Sequence, residues 1–261
     1  MKIALINPYE LGRQPFCLAE PAAFLKRDGH AVTCCDLSIQ KLDDCLTADT
    51  GIVAIYIAMH TATRIAIEAL PKIKQLAPNA SLCVYGLYAP MNAELFRSLG
   101  VMTVIGGEFE YGLCDMAGRI QSGKGERQTE PETRLDKIQF IAPDRDTLPE
   151  LSRYAQLINT DGSTQTVGFS ETTRGCKYLC RHCPVVPVYQ GKFYVIQADI
   201  VLADIRAQIK AGATHISFGD PDFFNGPGHA LRIVRALHDE FPDISYDATI
   251  KIEHILSLIH I

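Results

Sequence analysis

The sequence predicts an α/β protein: a doubly wound parallel sheet over residues 1–121, then, past a polar connection over 122–150, a second βα array over 151–261. Three observations carry this. Apolar runs of strand length, rich in β-branched residues, alternate with segments of helical period. The runs are apolar throughout rather than every second residue, which is the pattern of strands covered on both faces. The alternation also stops over one charged stretch and then resumes.

The elements follow in order. "KIALIN" (Lys2–Asn7) is the first strand run and stops at Pro8. "AVTCCDL", "GIVAIYI", "SLCVYGL" and "MTVIGG" are the next four. Between them, "EPAAFLKRDG" reads as a helix that Gly29 ends. "TATRIAIEALPKIKQLAP" reads as a second helix, with Ile65, Ala66, Ala69, Ile73 and Leu76 on one face despite Pro71. Ligands of such sheets sit in the loops at the carboxyl ends of the strands. Here those loops are "NPYELGRQP", "AMHTAT", "YGLYAPMN" and "GGEFEYG". "QSGKGERQTEPETRLDK" is charged and poor in apolar residues, so it reads as a connection. After it, "YAQLIN" and "TQTVGFSE" pair around the turn residues "TDGS". A cysteine-rich loop follows, then a helix "ADIVLADIRAQIKAG", a strand "THISFGD", a helix "GPGHALRIVRALHDEF" and a strand "DISYDATIKIEH" that carries Lys251 and Glu253.

The totals exclude several classes. Hydrophobic residues make up 47% and charged residues 21%, the composition of a folded domain rather than a disordered chain. Net charge is -5, and no dense Lys/Arg run marks a nucleic-acid partner. The longest apolar run, Ile52–Met59, is far short of the ~20 residues of a membrane span, so no membrane partner is expected. Pro8 interrupts the N-terminal apolar run too early for a signal peptide, and the expected location is the cytoplasm. Nine cysteines, an odd number without an export signal, argue against a disulfide framework. Cys17, Cys34, Cys35, Cys45, Cys83 and Cys114 read as small core residues.

The other three cysteines fall within "RGCKYLCRHCP" (Arg174–Pro184) at the spacing C-x3-C-x2-C. A structural zinc ion takes four ligands, and His182 is the only nearby fourth donor, awkwardly adjacent to Cys183. A redox dithiol needs C-x2-C alone and leaves Cys176 unexplained. A [4Fe–4S] cluster takes one thiolate per iron, so Cys176, Cys180 and Cys183 would hold three irons and leave the fourth open to a small molecule. Spacing alone leaves all three open, including a non-catalytic iron–sulfur or zinc protein that senses redox state or metal.

The stretch "ETTRGCKYLCRHCP" resembles the cluster loop of radical S-adenosylmethionine (SAM) enzymes, which follows the first strand of a (β/α) barrel. His182 stands where that family commonly has an aromatic residue beside the last cysteine, in contact with the cofactor. The resemblance implies that the second array is an incomplete radical SAM barrel. It also implies that a glycine-rich or acidic segment after the next strand receives the amino group of SAM; "ISFGDPDFFNGP" offers Gly219, Asp220 and Asp222. An ordinary strand-to-helix turn uses the same residue types. Lys251 and Glu253 would face the same cavity or a solvated edge. By resemblance, SAM chelates the open iron, and one electron from the cluster, supplied by a reductant such as flavodoxin or ferredoxin, cleaves it to a 5′-deoxyadenosyl radical. That radical acts on a small-molecule or peptide substrate, and methyl transfer or rearrangement follows.

An α/β sheet ahead of such a barrel resembles a cobalamin-binding domain. "VIGGEFEYGL" (Val104–Leu113) is similar to the glycine-glutamate turn of that domain, which implies Gly86, Gly106, Gly107 and Glu108 as cobalamin contacts. The Asp-x-His-x-x-Gly loop that supplies a cobalt ligand in many cobalamin proteins is missing from "NPYELGRQP"; His60 is a conceivable substitute or an ordinary surface residue. Either cobalamin binds without a histidine or the domain is a retained scaffold. Across its length the chain resembles the CUAEP/CCAEP-tail radical SAM family. Such barrels need about six βα units; the room after Gly168 and the apolar ending "LSLIHI" are what a C-terminally truncated chain would show.

Overall fold

The computed structural model describes residues 1–125 and 132–254. Contacts divide it into two units, Met1–Leu148 and a second from Pro149 onward.

In the first unit the five apolar runs form β1 (Lys2–Asn7), β2 (Ala31–Asp36), β3 (Thr50–Tyr56), β4 (Ser81–Tyr85) and β5 (Thr103–Gly107). A two-residue β6 (Thr133–Arg134) adds to β5. The sheet is parallel throughout, in the order β2-β1-β3-β4-β5-β6. That order reverses between β1 and β3, where doubly wound sheets open a crevice for ligands. The helices are α1 (Phe16–Arg27), α2 (Leu42–Cys45), α3 (His60–Leu76), α4 (Ala93–Ser98) and α5 (Glu110–Gln121). Successive strand residues face opposite layers. Ala4, Ile6, Val53 and Ile55 pack with α2, α3 and α4, while Ile3, Leu5, Ile52 and Ala54 pack with α1 and α5. Both faces are buried, as the unbroken apolar runs required.

Several expectations are corrected. The first helix begins four residues earlier than its periodicity marked, and Pro21 lies inside it. Proline has no N–H to give the Cys17 carbonyl, and that carbonyl accepts the Tyr85 hydroxyl at 3.0 Å instead. Gly29 does end the helix: at φ +85° it sits in the left-handed region, with Gly29 N–H on Lys26 O and His30 N–H on Leu25 O. In α3 the buried face is Ala62, Ala66, Leu70 and Ile73, with Ile65 and Ala69 turned partly outward. The stretch read as a connection is no free linker in its described part. β6 pairs with β5, Lys26 Nζ meets Asp144 Oδ1 at 2.6 Å, and Ile138, Phe140 and Leu148 are buried. Residues 126–131 of that stretch, and "LSLIHI" with Ile255, lie outside the described residues.

The second unit opens with the expected hairpin, β7 (Gln156–Ile158) antiparallel to β8 (Thr164–Ser170). β9 (Thr173–Gly175) and β10 (Phe193–Val195) bracket the cysteine loop, which carries α6 (Val185–Tyr189). Then come α7 (Ala198–Lys210), β11 (His215–Phe218), α8 (Pro227–Glu240) and β12 (Ser245–Ala248). β8, β11 and β12 run parallel, in the sheet order β12-β11-β8-β7. This is the start of a (β/α) array. β12 ends at Ala248, so Lys251 and Glu253 lie beyond the strand. Asp222 explains the early end: its Oδ1 takes the Lys251 N–H at 3.3 Å, its Oδ2 meets His254 Nε2 at 3.0 Å, and Phe223 N–H reaches Thr249 O. Among the described residues no helix is long and apolar enough to cross a membrane.

Candidate functional site

The cysteine loop is an excursion closed at its base. β9 and β10 pair antiparallel, Thr173 with Val195 through Gly175 with Phe193, so residues 176–192 leave and return at one place. Gly175 has to be glycine. Its φ is +72°, and a Cβ there would stand 2.4 Å from the Tyr189 ring and 2.6 Å from Lys192 O. Within the loop, Cys183 N–H bonds Cys180 O at 3.2 Å and Val186 N–H bonds Cys183 O at 3.3 Å, the turns that lead into α6.

The chain enters this loop through a fixed turn. Asp220, 2% exposed, accepts four hydrogen bonds: from the N–H and hydroxyl of Thr172 at 3.0 and 2.7 Å, and from those of Thr173, both at 2.6 Å. Burial raises its pKa, and these four bonds pull the other way. Upstream, Asp204 and Gln208 of α7 hold the end of β8, through Ser170 Oγ on Asp204 Oδ2 at 2.9 Å and Phe169 N–H on Gln208 Oε1 at 2.7 Å.

Cys176 is buried, while Cys180 and Cys183 are half-buried. Burial raises the Cys176 pKa; the Tyr178 N–H at its sulfur lowers it, and Asp222, Cys183 and Cys180 raise it again. Among the described residues no three His, Cys, Asp or Glu side chains converge on a point where one metal ion would sit. A cube of iron and sulfide asks for one thiolate at each of three corners rather than three on one ion. The donor set fits such a cube. His182 is exposed on the loop beside Cys183.

The predicted SAM-binding segment is close to the loop, but much of it is occupied. Gly219 lies against Phe169, and a Cβ there would stand 2.2 Å from the ring. Asp220 is the anchor just described. Asp222 caps the turn Phe223–Asn225 through the Phe224 N–H and holds Lys251 and His254. Lys251 Nζ stands 3.9 Å over the Tyr178 ring and 3.0 Å from Glu253 Oε1. Its pKa is raised chiefly by Glu253, with Cys180 and Tyr178 adding to the shift.

In the first unit Gly86, Gly107 and Glu108 lie at the carboxyl edge of the sheet with Gly106, as expected for that loop set, but the room the glycines leave is filled by the chain itself. A Cβ on Gly86 would be 2.5 Å from the Tyr56 ring, on Gly106 2.1 Å from Pro90, and on Gly107 2.0 Å from Arg134 O. Glu108 is buried and its N–H bonds Arg134 O at 2.9 Å. Beside it, Glu110 has its pKa driven well up by burial and then by the Glu108 charge. The unit's two histidines are His30, which precedes β2 at the opposite edge, and His60, exposed at the start of α3. His60 thus opens the helix that follows β3, at the carboxyl edge of the sheet, whereas His30 does not.

Sequence reasoning passed over Glu10. It lies in the loop after β1, where Cys17 Sγ donates to its Oε2 at 3.0 Å, and its pKa is pushed up to about 7. Burial is the main cause; Asp36 adds to it, while Cys17, Arg13 and Arg145 oppose it. It also passed over Asn225, inside a segment that reads as turn chemistry.

No protein-family model matches the chain, and no curated protein sequence does. Solved structures do. The chain matches TsrM from Kitasatospora setae, a radical SAM methyltransferase solved with cobalamin and a [4Fe–4S] cluster bound, at a TM-score of 0.67 and 18% identity. In fold the chain is similar to TsrM. A second TsrM structure, with tryptophan substrate and the SAM analogue aza-SAM bound, matches at a TM-score of 0.68 and 18% identity. Each alignment covers 93% of this chain and 52% of TsrM, so the chain spans about half the length of that protein. At this identity the likeness to TsrM is one of fold.

Proposed function

We propose that this chain is a radical SAM protein whose Cys176, Cys180 and Cys183 hold a [4Fe–4S] cluster and whose first unit is a cobalamin-type domain. The observation that carries the reading is the C-x3-C-x2-C loop closed by β9 and β10, placed directly after the first strand of a parallel βα array. The fold shared with TsrM supports it. When bound, the cluster supplies the electron that cleaves SAM reductively. The chain's own part is positional. Asp220 fixes the entry to the loop, Gly175 lets it turn, and Asp222 holds Lys251 beside Tyr178 on the loop. Gly219, Asp222 and His182 are the chain's proposed contacts with SAM.

The finer parts are these. The reductant is a flavodoxin or ferredoxin, the substrate a small molecule or peptide, and the outcome methyl transfer or rearrangement. The chain is read as kin to the CUAEP/CCAEP-tail radical SAM proteins. Cobalamin on the first unit is held either without a histidine or through His60, which opens α3. Anaerobic reconstitution followed by SAM and a strong reductant tests the central reading. Uptake of iron and sulfide, with release of 5′-deoxyadenosine or S-adenosylhomocysteine, is expected. Zinc without iron would replace the reading with a metal-sensing one, and a full cluster that never turns over SAM would make it a non-catalytic iron–sulfur protein. Purification with cobalamin present, followed by the corrinoid absorbance of the washed protein, tests the first unit separately.

A further inference from the structure

Asn225 is 3% exposed, in the turn Phe223–Asn225 that follows β11. Its Nδ2 donates to Gly175 O at 3.0 Å, and its Oδ1 accepts the Lys177 N–H at 3.2 Å. Gly175 and Lys177 are the two neighbours of Cys176. One carboxamide thus bonds the peptide group before the cysteine and the one after it, as a strand partner would in a ladder. A carboxamide carries a donor and an acceptor side by side, and only one orientation satisfies both bonds. Lys177 Nζ adds two more ties to the same turn, donating to Phe224 O at 3.2 Å and Asn225 O at 3.1 Å. The turn itself is fixed, since Asn225 N–H bonds Asp222 O at 2.9 Å.

From this clamp we infer that Asn225 is a positioning residue for the Cys176 thiolate, a role that rests on the proposed cluster. A loop of three cysteines leaves each sulfur free to swing with its backbone. Among the described residues Cys180 and Cys183 share one tight turn, and no backbone turn bond of that kind includes Cys176. Asn225 supplies what the loop lacks there, from an element about 50 residues along the chain. Groups that orient a metal ligand without touching the metal change metal affinity by about 10–100-fold when removed.

The test uses the full chain, reconstituted anaerobically with iron and sulfide. Asn225→Ala should lose iron to a chelator about tenfold faster than wild type and shift the cluster's midpoint potential. Asn225→Asp keeps the acceptor for Lys177 but loses the donor to Gly175 and adds negative charge, so its potential should fall below that of wild type. Gln208→Ala serves as a control, because Gln208 is as deeply buried and holds β8 rather than the loop. It should lower the urea midpoint and leave chelation rate and potential at wild-type values. Wild-type chelation and potential in Asn225→Ala would overturn the inference while sparing the cluster. Equal effects from Gln208→Ala would also overturn it, as general loosening. A wild type that takes up no iron would overturn both the inference and the function on which it rests.

Discussion

The nine cysteines form two populations, and the contrast between them separates core from chemistry. In the first unit, Cys17, Cys34, Cys35, Cys45 and Cys83 are buried in the two apolar layers, with Cys114 half-buried at their margin. Four of them give their S–H to an oxygen: Cys17 to Glu10, Cys34 to Leu18 O, Cys35 to Lys41 O and Cys83 to Val84 O. Burial pushes the Cys34 thiol up to about 12, so it stays protonated and inert. Among the described residues the loop thiols of the second unit donate to no such oxygen. The hydrogen bonds there belong to the backbone around them, through Asp220, Asn225 and the β9–β10 pair. One region gives its S–H groups acceptors; the other spends its hydrogen bonds on the backbone around its sulfurs. The second arrangement is what a ligand loop requires.

The largest effect that would break this contrast comes from the thiols themselves. If they are the ligands of the proposed cluster, Cys176→Ala, Cys180→Ala and Cys183→Ala should each reduce iron bound after reconstitution by about tenfold or more. Cys83→Ala should bind wild-type iron and cost about 1 kcal/mol in urea unfolding. Iron that follows Cys83 as closely as Cys176 would dissolve the distinction. Next is Asp220→Asn, which turns an amide NH2 toward at least one of four donors. A buried polar mismatch of this kind costs about 2–4 kcal/mol, measurable as a lowered urea midpoint of the apoprotein. Unchanged stability would mean that Asp220 is held for a ligand rather than for Thr172 and Thr173.

How much of this was legible depended on whether the partners were local. The strands were legible because burial on both faces leaves unbroken apolar runs, as in "IVAIYI". The loop was legible because ligand spacing survives in one dimension. α5 was not, since Gly112 and Gly118 dilute the period carried by Leu113, Met116 and Ala117. The docking of 132–148 was not either. It turns on Lys26 and Asp144, 118 residues apart, and charged residues in a polar stretch read as solvated until their partner is located. Asp220 was visible as an acidic residue near the loop, but its four donors are 47 and 48 residues upstream. Residue type pointed to SAM; geometry gives the backbone a prior claim.

Glycines test the same contrast in the first unit. Gly107→Ala would place a Cβ 2.0 Å from Arg134 O at a φ of +71°. Strain in that region, with a backbone clash added, costs about 2–3 kcal/mol, and the loss should appear in urea unfolding with no corrinoid present. A variant of wild-type stability that retains less corrinoid would instead mean that Gly107 is kept for a ligand's approach.

The smallest effect concerns Glu10, and its sign follows from linkage. In the folded chain its pKa is about 7 against the ordinary 4.5 of a glutamate, so the fold favours the protonated acid. Below about pH 4.5 both folded and unfolded chains hold the proton, and the group leaves stability untouched. As pH rises from there, the unfolded chain releases a proton that the folded chain keeps, and stability falls until the folded group also ionises near 7. The full penalty is about 3 kcal/mol at most, and partial exposure of the side chain reduces it to about 2 kcal/mol. Glu10→Gln keeps an acceptor for the Cys17 S–H and has no charge to bury. It should match wild type at pH 4 and exceed it by about 2 kcal/mol at pH 8, with most of the divergence between those values. Two urea-stability curves that stay parallel across the range would mean that Glu10 reaches water freely, and that the edge of β1 is as solvated as an ordinary loop.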